Sequence, residues 1–138
     1  LSGLTTATGA GPAEEHKAFH RIKSLGDLER AIETASAENR PVMLDFYADW
    51  CVECIRMERN TFPEPQVQAE FEGFDLLQAD VTANDDLDQA LMKAFGIIGP
   101  PAILFFDSAG EEMKAYRLVG YFDAVEFAGH LQKVLIAQ

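Results

Sequence analysis

Val42-Met43-Leu44-Asp45-Phe46-Tyr47 is a run with a single charge in it, and it restricts the fold more than any other stretch. A strand that alternates apolar and polar residues buries one face, whereas one that is apolar almost throughout needs cover on both. The chain is therefore expected to be α/β: a central mixed sheet with helices on both faces. Its 138 residues, 48% of them hydrophobic, suffice for one domain with a sizeable core.

The pattern around this run fills in the rest. Leu1 to about Pro12 is rich in Gly, Thr, Ser and Ala without periodicity, and residues 1–17 are expected to form a linker ahead of a domain over 18–138. Ala18 to Ile22 is a short strand. Ser24 caps a helix with Leu25, Leu28, Ile32 and Ala35 on one face, ending before Pro41. A helix starting at Cys51 is bent or broken around Pro63 and Pro65. Phe74 to Val81 is a further strand, and Asn84 or Asp85 caps a helix facing inward with Leu87, Leu91, Ala94 and Phe95. Ala102 to Phe106 is a buried strand, turned by Ser108-Ala109-Gly110 into an antiparallel partner near Lys114 to Val119. Asp123 opens a last helix with Ala124, Ala128, Leu131 and Leu135 inward. The predicted order is β-α-β-α-β-α-β-β-α.

The only two cysteines, Cys51 and Cys54, stand three apart directly after Trp50. This spacing suits a dithiol/disulfide switch. At a helix start, the first sulfur lies beside backbone N–H groups without intrahelical partners and the positive end of the helix dipole, which favour thiolate. Cys51 is thus the expected attacking thiol. Cys54, about one turn deeper, is placed to resolve a mixed disulfide. A static disulfide or half of a zinc site is the competing reading, but His16, His20 and His130 lack the paired spacing that would supply the other ligands. Dithiol exchange requires no cofactor.

Asp45 precedes Cys51 inside the apolar run. Buried there, its carboxyl is expected to hold its proton to unusually high pH and to exchange protons with Cys54. An exposed Asp at the strand end is the alternative. Glu58, two helical turns below Cys51, either acts on the site likewise or belongs to a solvated helix face. Asp45, Asp49, Glu53 and Glu58 together oppose the helix dipole, so reduced Cys51 is expected mainly as neutral thiol. A dithiol that gains no thiolate stabilisation belongs on the reducing side of the exchange, as an electron donor.

A formal net charge of −12 repels nucleic acid and anionic lipid. The longest uncharged stretch, Ala94 to Phe106, is interrupted by Gly96, Gly99, Pro100 and Pro101 and falls short of the roughly 20 residues needed to span a bilayer. A soluble, monomeric piece of a longer protein is expected, with no signal peptide at Leu1.

Trp50-Cys51-Val52-Glu53-Cys54 after a strand bearing Asp45, followed by Gly99-Pro100-Pro101 before an apolar strand, resembles the thioredoxin superfamily over residues 18 to 137. Tyr47-Ala48-Asp49-Trp50, Thr61-Phe62, Pro65-Gln66-Val67-Gln68, Leu77 to Asp85 and Ile103 to Asp107 narrow the likeness. They resemble the C-terminal periplasmic domains of bacterial thiol:disulfide interchange proteins.

That resemblance implies a reductase domain of an inner-membrane protein. It would take electrons from a membrane-embedded cysteine pair and pass them to the same protein's N-terminal periplasmic domain, and so to disulfide isomerases and cytochrome c maturation factors. Asp45 and Glu58 stand where the family carries tuners of the first cysteine, and Trp50, Pro100 and Pro101 frame the partner groove.

Two positions depart from the family. Ile55 stands where Lys is usual after the second cysteine. Gly99-Pro100-Pro101-Ala102 replaces Gly-x-Pro-Thr, with Pro101 at the place of the family's cis proline. Pro100 lacks the N–H that the residue before that proline normally offers an incoming chain; alternatively it only stiffens the loop. A free-standing thioredoxin-like or cytochrome c maturation reductase, and a redox-inert binding module, are the competing functions.

Overall fold

The structure, a computed structural model, describes residues 18–138. The expected linker over 1–17 lies outside them.

The elements are β1 (His20–Ile22), α1 (Leu25–Ala37), β2 (Val42–Tyr47), α2 (Val52–Arg56) running into a π-helical turn (Met57–Thr61), α3 (Pro65–Phe71), β3 (Asp75–Asp80), α4 (Asp86–Ala94), β4 (Ala102–Phe106), a 3-10 turn (Lys114–Tyr116), β5 (Leu118–Val119) and α5 (Ala124–Ile136). The sheet order is β1-β3-β2-β4-β5. β1, β3 and β2 run parallel, whereas β4 is antiparallel to β2 and β5 to β4. β2 is therefore the central strand, and all six of its residues are buried.

Local chemistry sets the helix ends. Ser24 and Asp27 form a reciprocal capping box at α1, as do Asp85 and Asp88 at α4, and Asp123 caps α5. α1 ends with Asn39 at φ 58°, where Asn39 N–H bonds Ser36 O and Arg40 N–H bonds Ala35 O. α4 ends the same way at Gly96, φ 67°, with Ile97 N–H returning to Met92 O. Both are Schellman closures, which need a left-handed residue that Gly or Asn supplies at low cost.

Each face of the sheet has its own core. Leu44 and Phe46 pack with Leu28 and Ala35 of α1 and Leu91 of α4. Met43, Ile103 and Phe105 pack with Phe71, Phe127 and Leu131 from α3 and α5. There Phe62, Phe71 and Phe127 meet ring to ring at 5.6 to 6.2 Å, each burial contributing about 1.5–3 kcal/mol.

Several expectations need correction. Leu25, the first residue of α1, is half exposed and Leu87 is exposed. The phase of α4 is set by Asp88, which is buried and held by Lys23 Nζ at 2.6 Å, so that Asp88, Leu91 and Met92 face inward and Ala94 faces out. The partner of β4 is not a strand over Lys114 to Val119. One bridge, Phe106 to Glu112, starts the hairpin; the chain then tightens into the 3-10 turn, and only Leu118–Val119 pair. Arg117, drawn onto Glu112 and the carbonyl of Phe95, accompanies that break. The strands expected at Ala18 to Ile22 and Phe74 to Val81 are shorter, starting at His20 and spanning Asp75–Asp80.

The break between the dithiol helix and α3 falls at residues 62–64, as the prolines predict, but the helix first widens. Phe62 N–H reaches back five residues to Met57 O at 2.9 Å. The widened turn is clasped by the backbone of Phe122, which accepts from Thr61 Oγ1 and donates to Met57 Sδ.

Candidate active site

The dithiol stands at the C-terminal end of the central strand. Cys51 N–H returns to Ala48 O at 3.0 Å, and Cys51 is the N-cap of α2 rather than its first helical residue. Cys51 and Cys54 form a disulfide with their Cα atoms 5.2 Å apart. Cys51 Sγ accepts the N–H of Cys54 at 3.2 Å, so the sulfur takes the place of a capping oxygen. Cys54 Sγ lies 3.8 Å from the carbonyl of Phe46 on β2. Burial does not separate the sulfurs in this closed form, since Cys51 is 6% and Cys54 4% exposed. Their surroundings do: Cys51 faces a donor and Cys54 an acceptor.

Asp45 is 6% exposed, which disposes of the alternative of a solvated strand end. Burial above all pushes its carboxyl up to about 7; Gln78 donates to it and pulls it down, Glu58 raises it and Arg21 lowers it. Gln78 Nε2 is 2.9 Å from Asp45 Oδ2 and 3.1 Å from Glu58 Oε2. Glu58 is an exposed residue of the widened turn whose carboxylate shares the Gln78 amide with Asp45. Gln78 was missed by sequence reasoning. Its one signal was being a polar residue amid Leu76, Leu77 and Ala79, in a strand that pairs with the Asp45 strand.

The negative charge around Cys51 is smaller than the sequence suggests. Glu53 is paired with Arg56 at 2.8 Å, and the Arg56 guanidinium lies 3.9 Å over the ring of Tyr121. Asp49 accepts from Tyr47 OH at 3.0 Å. Burial, then that bond, push the Tyr47 phenol up to about 12. Asp45, Asp49 and Glu58 remain as the carboxylates around the dithiol that form no ion pair among the described residues.

The wall beside the dithiol comes from the start of β4. Ala102 pairs with Phe46, so Pro100 and Pro101 sit at the sheet end that carries Cys51, and the Pro100–Pro101 peptide is cis. Pro101 O accepts Gly120 N–H, tying the loop to the residue after β5. Trp50 is 58% exposed, its indole N–H held by Thr82 O at 3.1 Å. One groove of ≈ 390 Å³ runs along Trp50, Val52, Ile55 and Arg59. Another of ≈ 210 Å³ is lined by Ile97, Ile98, Leu118 and Val119 together with Gly99 and Ala102, which flank the two prolines. Ile55, which follows Cys54, is partly buried against the core cluster that contains both cysteines.

A thioredoxin-like domain model matches residues 28–135. The chain belongs to the thioredoxin-like family. Within it the likeness is to DsbD. The C-terminal domain of Neisseria meningitidis DsbD in its oxidised form superposes with a TM-score of 0.71 at 36% identity, covering 85% of this chain and 99% of that one. Its reduced form gives the same TM-score. A Thermus thermophilus thioredoxin matches at 0.67 and 25% identity, over 87% of this chain and 89% of that one. Among curated relatives, the thiol:disulfide interchange protein DsbD of Cronobacter sakazakii is 50% identical over 129 residues, and that of Ralstonia nicotianae 46% over 136, or 92% and 98% of this chain. The chain spans 22% of the length of both. A thioredoxin-like domain with a Cys-x-x-Cys disulfide at a helix N-cap is built for dithiol-disulfide exchange. Among the described residues no helix is long and apolar enough to cross a membrane.

Proposed function

We propose that residues 18–138 are a protein-disulfide reductase domain, tethered through residues 1–17 to a longer inner-membrane protein and working in the periplasm. The observation that carries this reading is the Cys51–Cys54 disulfide at the N-cap of α2, with the buried, readily protonated Asp45 on the adjoining strand.

In the reduced domain the Cys51 thiolate attacks one sulfur of a partner disulfide. A Cys51–partner disulfide forms, and the partner's other sulfur leaves and takes up a proton. Cys54 then gives its proton to the Asp45 carboxylate, and its thiolate attacks Cys51 Sγ. The partner's remaining sulfur leaves as a thiolate and takes up the proton that Asp45 received, directly or through solvent, so that the partner departs as a dithiol and Asp45 is again ionised. The two electrons the partner gained are those lost in forming Cys51–Cys54. A membrane-embedded cysteine pair of the same protein returns the domain to the dithiol, and its N-terminal periplasmic domain is the acceptor. Trp50, Pro100 and Pro101 form the docking surface, with Glu58 tuning the site. No metal or cofactor takes part.

Trapping tests the order of attack. With Cys54→Ala, the reduced domain mixed with the oxidised N-terminal domain of the same protein should accumulate a mixed disulfide through Cys51. Absence of the adduct, or attachment elsewhere, would overturn the scheme.

A further inference from the structure

We infer that Gln78 is a positioning residue of the dithiol centre, locked by Arg21 so that its amide nitrogen faces both Asp45 and Glu58 and keeps the buried carboxyl ionisable. The geometry is a row across the sheet. Arg21 of β1 is in register with Gln78 of β3, and Gln78 with Asp45 of β2. Arg21 Nε donates to Gln78 Oε1 at 2.7 Å, and Gln78 Nε2 donates onward to Asp45 Oδ2 and Glu58 Oε2.

The orientation of the amide follows from this chain of bonds. An amide has one accepting end and one donating end. Arg21 has only donors, so it takes the oxygen and leaves the nitrogen for the carboxylates. The reverse orientation would set Oε1 against two carboxylate oxygens and Nε2 against a guanidinium. Arg21 is half exposed and Gln78 is buried, so a surface cation fixes a buried dipole.

The charged groups facing Asp45 are Glu58 from the widened turn and Arg21 from β1. Its neighbour in the row on β4 is Ile103, and Tyr47, two residues along its own strand, carries a phenol that stays neutral. Gln78 is therefore the group that donates hydrogen bonds to this carboxylate pair from inside the core. A charge-assisted bond of this kind favours the ionised form. Without it Asp45 would hold its proton too firmly to accept one from Cys54 at neutral pH.

Arg21 has a second hold on the site. Its Nη1 is 3.1 Å from Asp80 Oδ2, and Asp80 Oδ1 accepts from the N–H and hydroxyl of Thr82. Thr82 Oγ1 in turn accepts Asp49 N–H at 2.8 Å, and its carbonyl holds Trp50. One guanidinium thus braces the buried carboxyl and the loop that leads into Cys51. The guanidinium reaches Gln78 through Nε and Asp80 through Nη1, two nitrogens in a rigid planar fork, whereas Lys offers a single nitrogen without that fork.

The role assigned to Gln78 rests on the reading of Asp45 as the proton partner of Cys54, and the test separates the two. In the oxidised domain, the Asp45 carboxyl carbon is followed by ¹³C NMR against pH. Gln78→Met keeps length and volume but removes the donor, and should raise the Asp45 midpoint by roughly one to two pH units. Arg21→Lys should raise it by roughly half a unit while preserving charge. If Gln78→Met does not fold, the half-exposed Arg21→Lys carries the test. A midpoint unmoved in the folded variants overturns the positioning role. A raised midpoint with the pH profile of disulfide exchange unchanged supports that role and instead overturns Asp45 as proton partner.

Discussion

The backbone N–H of Cys54 points at the Sγ of Cys51 from 3.2 Å, so the attacking sulfur stands where a helix usually places a capping oxygen. On reduction that donor stabilises a thiolate, while Asp45, Asp49 and Glu58 oppose it. The Glu53–Arg56 pair removes one of the charges expected to oppose it. With three carboxylates against one short helix, alkylation of Cys51 in the reduced domain should still be accelerating with pH above neutrality. A rate that has levelled off well below pH 7 would defeat the electron-donor account.

Asp45 should make the oxidised domain less stable as pH rises. Its carboxyl lies at about 7 in the folded protein against an ordinary 3.8. A raised value means stability that is complete below the unfolded value and lost as pH climbs through the folded one, a difference on the order of 4 kcal/mol. Asp27, Asp80 and Asp85 are shifted down, so their contributions fade only at more acid pH. Urea denaturation from about pH 4 to 8 should show a fall that is absent in Asp45→Asn. Parallel curves for the two proteins would contradict the assignment.

Pro100→Leu restores an N–H at the residue before Pro101, where the docking surface is proposed. The added bond, about 1 kcal/mol, should tighten the partner complex or speed exchange about fivefold. Stopped-flow measurement with the partner domain checks this, and unchanged kinetics would mean that Pro100 only stiffens its loop.

Phe127→Ala opens the aromatic cluster it shares with Phe62 and Phe71, and should cost about 3–5 kcal/mol in chemical denaturation. Val125→Ala, two residues away and largely exposed, should stay within about 0.5 kcal/mol.

By itself the sequence determined what short-range chemistry controls. The apolar run of β2 demanded a sheet covered on both faces, Ser24, Asp85 and Asp123 marked their helix starts, and the cysteine spacing put a dithiol at the head of another. The burial of Asp45 followed from its neighbours on the same strand. Only the tertiary structure decided what faces Asp45. Gln78 lies 33 residues from Asp45, and Arg21 lies 57 from Gln78. Strand register, set by packing of the whole sheet, brings the three into one row. The turn over Met57–Thr61 is also nonlocal, since the backbone of Phe122 holds it. Leu87, which sequence periodicity turned inward, faces out because Lys23 draws Asp88 into the core. Periodicity along a chain reports which face is apolar, but it carries no information about which distant polar group will meet a buried carboxylate.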